Sequence, residues 1–293
     1  MHRALRRIYD PLISNSINKT KQCCFTIRVK STTSEQNDHR AKIMARGLPE
    51  KKPLPGVKSI VLVASGKGGV GKTTTAVNLA CAMKVIEPDK EIGLLDADVF
   101  GPSVPLMMNI SGEPMLNDDN LIEPLLNYGI KWRAKALPPS CGLFSRLLRQ
   151  AAWPQEIVFF LRSCTDIICN CAIVVTTPQS AALQVTKRGV IMFEKLKVPI
   201  IGMVENMSYA ICEKCGTKNY VFGNETKTAA KEMGLEIIES FEVDHNMSEC
   251  INSGKPAIYA LPDSTHAEKY RQLANKVFKY IDSKDNERIK ITE

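Results

Sequence analysis

The chain predicts an α/β fold built on a mostly parallel, doubly wound sheet. Three observations carry that prediction. Apolar runs of strand length alternate with helical stretches along the chain. The runs are nearly continuous in apolar residues, as strands covered on both faces are. The chemistry-bearing residues collect just after those runs, where the carboxyl ends of parallel strands line up.

The elements follow in order. Ser59-Ile-Val-Leu-Val-Ala-Ser65 reads as a buried strand, and Thr73 to Met83 as the helix after it. Glu91-Ile-Gly-Leu-Leu-Asp96-Ala-Asp98 is a second strand ending in two acids, and Gly101-Pro102-Ser103 breaks the chain beyond it. Another apolar run starts at Ile157. Ala172 to Pro178 is a strand, and Ser180 to Lys195 the helix that follows. Pro199-Ile-Ile-Gly-Met-Val-Glu205 is the next strand, and Leu235 to Phe241 the last. A final amphipathic helix spans Thr265 to Ile281. Strands alternating with helices imply right-handed crossovers.

Between the first strand and its helix lies Gly66-Lys67-Gly68-Gly69-Val70-Gly71-Lys72-Thr73-Thr74, which fits G-x-x-x-x-G-K-[ST]. Glycines there let backbone N–H groups turn around phosphate oxygens without Cβ clashes. The helix after them presents unpaired N–H groups and its positive end to the same anion. Lys72 is placed to reach the β- and γ-phosphates, and the Thr73 hydroxyl to take a magnesium ion. The expected cofactors are therefore ATP and Mg²⁺. Lys67, directly after the first glycine, is not needed by a generic phosphate loop. It resembles the deviant Walker A class, whose extra lysine contacts phosphate across a dimer interface. That resemblance implies a homodimer with two nucleotides between its subunits.

Charge and cysteine content bound the partners. Residues 1–52 hold 12 Lys/Arg and 4 Asp/Glu, while the rest of the chain carries 27 of each sign. The basic balance therefore belongs to the leader, which argues against a nucleic-acid-binding body. The leader opens Met1-His-Arg3-Ala-Leu-Arg6-Arg7 and has one acid, Asp10, in its first 34 residues. Arg-rich and acid-poor is the composition of a mitochondrial transit peptide, and the mitochondrial matrix is the expected location. No apolar run reaches the roughly 18 residues of a membrane span. We read residues 1–45 as transit peptide and linker, 46–56 as linker, 57–283 as the nucleotide-binding domain and 284–293 as a tail. The ten cysteines do not form a secreted disulfide framework.

Cys212-Glu-Lys-Cys215 is the second carrier of chemistry, on a loop past the strand that ends at Glu205. A C-x-x-C pair serves as two thiolates on a metal or cluster edge, or as a redox disulfide. A zinc or cubane site wants about four ligands, and the chain has no second C-x-x-C. A two-fold dimer would supply the missing pair. Structural zinc and a redox pair remain open at this point.

The runs Gly66 to Thr74, Leu94 to Ser103, Val174-Val-Thr-Thr-Pro178-Gln179 and Val204-Glu-Asn206-Met207-Ser208, followed by Cys212 and Cys215, resemble the Mrp/Nbp-type iron–sulfur scaffold ATPases. With its basic leader, the chain is most similar to the mitochondrial branch. The resemblance covers about residues 57–130 and 172–282. It implies that Lys67 and Asp98 serve catalysis, Asp98 as the switch acid near the γ-phosphate. Asp96 supports magnesium through water, and Asn206 reads the adenine edge. Cys212 and Cys215 bridge a labile [4Fe–4S] cluster between subunits, and the cluster passes to apo-proteins, in the mitochondrial branch those of respiratory complex I. The rival is a partition or septum-type ATPase switch that holds structural zinc or no metal.

Residues 131–171 depart from that family. Its members carry a strand ending in Asp, then a Pro-Pro-Gly-Thr-Gly-Asp loop that reads the γ-phosphate. Here the stretch is Ile157-Val-Phe-Phe-Leu-Arg162-Ser-Cys164-Thr-Asp166-Ile-Ile, without the acid or the glycines. An altered transcript and a divergent member both account for it. Removing one charge-stabilising group costs about 10²–10³ in rate, so the expectation is nucleotide binding with impaired turnover. Cys164, Cys169 and Cys171 are expected as small buried hydrophobes rather than ligands.

Overall fold

The computed structural model describes residues 54, 56–96, 103–112, 115–118, 121–134, 157–160 and 169–292. All belong to one unit, Pro49–Glu293. At its centre β1 (Ser59–Ala64) is buried along its whole length. Its odd and even residues serve opposite faces of the sheet. Val61 and Val63 join one hydrophobic cluster with Ile173 and Val175, while Ile60, Leu62 and Ala64 join a second with Ala172 and Val174. This is the period-2 alternation of a strand covered on both sides.

The main sheet also holds β2 (Ile92–Asp96), β3 (Leu125–Asn127), β4 (Ile130–Ala134), β5 (Ile157–Phe160), β6 (Cys171–Thr176), β7 (Ile200–Glu205) and β10 (Ile237–Ser240). Their order is β10-β7-β6-β1-β5-β2-β4-β3. Every pairing is parallel except β3 with β4. The hairpin between those two was not foreseen. Its turn places Tyr128 and Gly129 at φ 51° and 72°, the positive-φ pair that a tight two-residue turn requires. Tyr128 is held there by stacking on Tyr259 at 4.9 Å and by donating its hydroxyl to the Gly254 carbonyl.

One face of the sheet is covered by α1 (Lys72–Ile86) and α7 (Thr265–Thr292). From Thr75 to Met83 every residue of α1 is buried, which explains why that stretch contains no charge. Besides Thr75, Asn78 is its polar residue. It donates to the Thr74 carbonyl and accepts from the Ala257 N–H, at the start of α6 (Ala257–Ala260). The other face is covered by α3 (Ser180–Lys195), whose Phe193 packs with Leu62 and Val174. The short helices α2 (Val104–Met107), α4 (Thr226–Glu232) and α5 (His245–Asn252) complete the unit. Among the described residues no helix is long and apolar enough to cross a membrane.

Two sequence boundaries shift. Leu54, read as linker, is buried in the second cluster and its carbonyl accepts from Val57 N–H. The last helix continues past Ile281 to Thr292, because nothing in Asp282 to Thr292 is a helix breaker and no glycine or proline ends it.

Candidate functional site: a phosphate cradle and a cysteine ribbon

The loop from Ser65 to Gly71 joins β1 to α1 at the carboxyl end of the sheet. Val70 alone of the loop turns inward and is buried in the core. Gly71 caps α1 at φ 88°, and a Cβ there would stand 2.1 Å from Asn206 Nδ2. Gly66 is equally constrained, since a Cβ would stand 2.7 Å from the Val185 carbonyl carbon. Gly68 differs. Its φ is not positive, and nothing lies within 4 Å of where its Cβ would be. The backbone at φ 78° requires glycine at 69, but nothing in the protein's own packing requires it at 68, where a bare backbone suits close approach of a ligand. The cradle therefore fits a phosphate chain.

The neighbouring side chains support that shape. Asn206, just past β7, donates to the Val70 carbonyl at 2.9 Å and so props the loop from the next strand end but one. Lys67 donates to Gln179 Oε1 at 3.2 Å, at the start of α3. The Ser65 hydroxyl donates to the Lys67 carbonyl at 3.1 Å. The Thr75 hydroxyl donates to the Gly71 carbonyl at 2.9 Å. Lys72, Thr73 and Thr74 line the cleft that opens from the loop, and Asp96 ends β2 with 1 % of its surface exposed. Thr73 with Asp96 is the donor set that would hold Mg²⁺, hard oxygens suited to a hard ion. Asp98 lies outside the described residues, as do Cys164 and Asp166.

The cleft measures about 530 Å³. Its far wall was missed from the sequence. Glu242, Val243 and Asp244 follow β10, and His266 and Tyr270 come from α7. The rule that ligands sit beyond parallel strand ends would have pointed to 242–244, but nothing in the sequence announced His266. His266 is 4 % exposed, with Nε2 3.2 Å from the Glu242 carbonyl and Nδ1 3.5 Å from Asp244. Glu242 is paired with Lys269 of α7. Burial alone would raise the Glu242 carboxyl. The hydrogen bond and charge of Lys269, with His266 alongside, outweigh it and hold the carboxyl below the usual range. Burial would lower the Lys269 ammonium, yet the same pairing holds it above its usual range.

The cysteines lie on a separate ribbon, β8 (Ala210–Ile211) paired antiparallel with β9 (Lys218–Asn219). Cys212 and Cys215 are both free and exposed. The turn is closed by Gly216 N–H donating to the Cys212 carbonyl at 2.8 Å and Cys212 N–H to the Thr217 carbonyl at 3.0 Å. Cys215 Sγ and Thr217 Oγ1 are in hydrogen-bond contact at 3.2 Å. Hydrogen bonds from the Thr217 hydroxyl, the Thr217 backbone and the Cys212 thiol favour the thiolate and hold Cys215 below the ordinary thiol range. Among the described residues no third His, Cys, Asp or Glu joins the pair as a metal ligand. Cys81, Cys169, Cys171 and Cys250 are buried, and burial pushes the Cys81 and Cys171 thiols up. Cys169 and Cys171 are thus core residues, as expected.

Comparison with known proteins places this geometry. Residues 56–137 and 160–278 match the family model described as NUBPL iron-transfer P-loop NTPase. The iron–sulfur cluster transfer protein NUBPL of Mus musculus is 37% identical over 271 positions, covering 83% of this chain and 84% of that one. A relative in Arabidopsis thaliana, the iron–sulfur protein required for NADH dehydrogenase, mitochondrial, is 36% identical and covers 80% and 83% of the two chains. Among solved structures, a nucleotide-binding protein of Archaeoglobus fulgidus in complex with ADP superposes with a TM-score of 0.59. It is 28% identical and covers 68% of this chain and 88% of its own.

Proposed function

The chain belongs to the NUBPL iron-transfer P-loop NTPase family, and on that premise we propose that it is a nucleotide-switched carrier of iron–sulfur clusters. The cluster is cargo. One observation carries the reading: two neighbouring exposed thiols, one favoured as thiolate, sit on a ribbon that offers no third ligand among the described residues. Two ligands leave a cubane half held. A second copy of the chain supplies the other two, so a [4Fe–4S] cluster bridges a homodimer through Cys212 and Cys215 of each subunit.

Nucleotide sets the dimer. Gly66, Gly68, Gly69, Val70 and Gly71 shape the cradle, and Lys72, Thr73 and Thr74 meet ATP and Mg²⁺ at the start of α1 with Asp96 behind them. Asn206 holds the loop and borders the nucleoside end. Lys67 and Asp98 act on the γ-phosphate, Lys67 across the dimer. Turnover is slow, because the acid directly after the strand and the glycines that would read that phosphate are missing from residues 157–168, whose one acid is Asp166. The recipients are apo iron–sulfur proteins of the mitochondrial matrix, complex I subunits among them. The name of the Arabidopsis relative and the basic leader support that assignment.

The test is anaerobic reconstitution of the full chain with iron and sulfide. About four iron and four sulfide per dimer are expected, lost in Cys212→Ser/Cys215→Ser. Zinc alone, or iron binding that ignores both cysteines, sinks the carrier reading and leaves a partition-type switch.

A further inference from the structure

The nucleotide cleft and the cysteine ribbon share a wall. Glu242, Val243 and Asp244 face the cleft. The same segment is hydrogen-bonded to the chain that leads into the ribbon. Ser208 N–H donates to the Phe241 carbonyl and Val243 N–H to the Tyr209 carbonyl, both at 2.8 Å. Ala210, the first residue of β8, forms a parallel bridge with Val243. A displacement of 242–244 therefore reaches the base of the ribbon through backbone hydrogen bonds.

Side chains make a second link between the same two places. Lys269 is bonded to Glu242 and also lies 3.5 Å from the Tyr209 hydroxyl. Its ammonium stands 5.6 Å from the centre of the Tyr209 ring. Lys218, on β9, lies over that ring at 4.4 Å, and Tyr220 packs edge-on against it at 6.1 Å. One aromatic ring thus touches an ammonium tied to the cleft and an ammonium carried by the ribbon.

We propose that Tyr209 is the positioning residue that couples nucleotide occupancy to the cysteine ribbon, with Glu242 and Lys269 as the cleft-side half of the link. The inference rests on the reading that the cleft takes ATP and the ribbon the cluster. Its physics is a difference in solvation. A nucleotide in the cleft displaces water from Glu242, and charge attraction strengthens as water leaves. Lys269 is then held firmly, Tyr209 with it, and the ribbon settles in one geometry. In the open cleft the pair is screened and the ribbon samples several. Occupancy thereby selects one arrangement of the two thiols.

The experiment follows alkylation of Cys212 and Cys215 by N-ethylmaleimide in the full chain without cluster. It is run at fixed pH, below the concentration of dimerisation, with and without saturating Mg-ATP, and read by peptide mass. ATP is expected to slow the reaction by about fivefold or more. In Tyr209→Leu the ratio falls to about one while the ATP Kd stays within about twofold. Tyr209→Phe keeps the ring and most of the effect, and Lys269→Met gives an independent route to losing it. A merely structural role would lower stability and ATP affinity together and leave the ratio intact. A ratio of one in the wild-type chain with ATP bound, or a full ratio in Tyr209→Leu, overturns the coupling. Failure of ATP to bind at all removes the nucleotide reading itself, and the coupling with it.

Discussion

The phosphate cradle and the cysteine ribbon are built in opposite ways. The cradle is wedged between β1 and the buried stretch of α1, and two of its glycines, Gly66 and Gly71, lie against the Val185 backbone and the Asn206 side chain. The ribbon is two strands of two residues each, with every residue from Ile211 to Val221 exposed. One site is shaped inside a single chain by the same packing that folds it. The other offers two exposed thiols on a lever and, on the proposed reading, takes its remaining ligands from a second copy. Damage to the cradle should therefore register in stability and affinity together, whereas damage to the ribbon should register in assembly alone.

The sharpest form of that contrast is Cys212→Ser/Cys215→Ser. Cluster binding is expected to vanish, while unfolding in denaturant moves by no more than about 0.5 kcal/mol, as surface changes do. A large loss of stability would mean that the thiols are structural. Next comes Gly66→Ala. A Cβ there meets the Val185 backbone at 2.7 Å, which cannot yield as a flexible side chain would. The expected cost is about 3 kcal/mol, with ATP affinity falling in parallel. Full stability in this variant would show that the cradle is not wedged.

The Glu242–Lys269 pair joins the two regions and gives the comparison a pH axis. The carboxyl is held below its usual range and the ammonium above it. The pair's contribution is therefore fully present above the unfolded carboxylate value of about 4.3 and below the unfolded lysine value of about 10.4. It fades as pH falls through the depressed folded value of Glu242, and as pH rises through the raised value of Lys269. Lys269→Met leaves a buried carboxylate alone, at a cost of about 3 kcal/mol near neutral pH. The gap to wild type should be full near neutral pH and close in acid, starting where the unpaired carboxyl, which burial raises, takes up its proton. A gap that persists unchanged to pH 2 would assign the loss to packing rather than charge.

Much of the cradle was legible because its chemistry is local. Gly66 to Thr74 is a continuous run, flanked by a strand and a helix with clear patterns. The ribbon's cysteines were legible for the same reason, three positions apart on one turn. The far wall was not. Glu242, His266 and Lys269 meet only after the chain has closed β10 and laid α7 across the sheet, and no spacing encodes that meeting. Asn206 was found, but its bond to the Val70 carbonyl was not, because that contact spans 136 residues. The β3–β4 hairpin carried a signal that was passed over: Asn127-Tyr128-Gly129 before the alternating Ile130-Lys-Trp132. Leu54 between two prolines looked like linker because proline marks breaks more often than it marks a buried entry to a strand.

The smallest effect tests the point where the cradle itself becomes an assembly device. Lys67 is exposed, and its ammonium is held by Gln179 at 3.2 Å within the same chain. A lysine that serves a nucleotide across a dimer must first leave that acceptor. Gln179→Ala removes the acceptor and should favour ATP-dependent dimerisation by about threefold, the size of a weak exposed hydrogen bond. Gln179→Glu replaces a neutral acceptor with a charged one and should disfavour it by a similar factor, since charge-assisted bonds are stronger. Neither change should alter stability by more than about 0.5 kcal/mol. Sedimentation with Mg-ATP reads both. Opposite signs for the two substitutions would place Lys67 in the assembly step. The same sign for both, or no dependence on ATP, would return Lys67 to a solvated surface charge and leave the proposed need for a second copy resting on the cysteine ribbon.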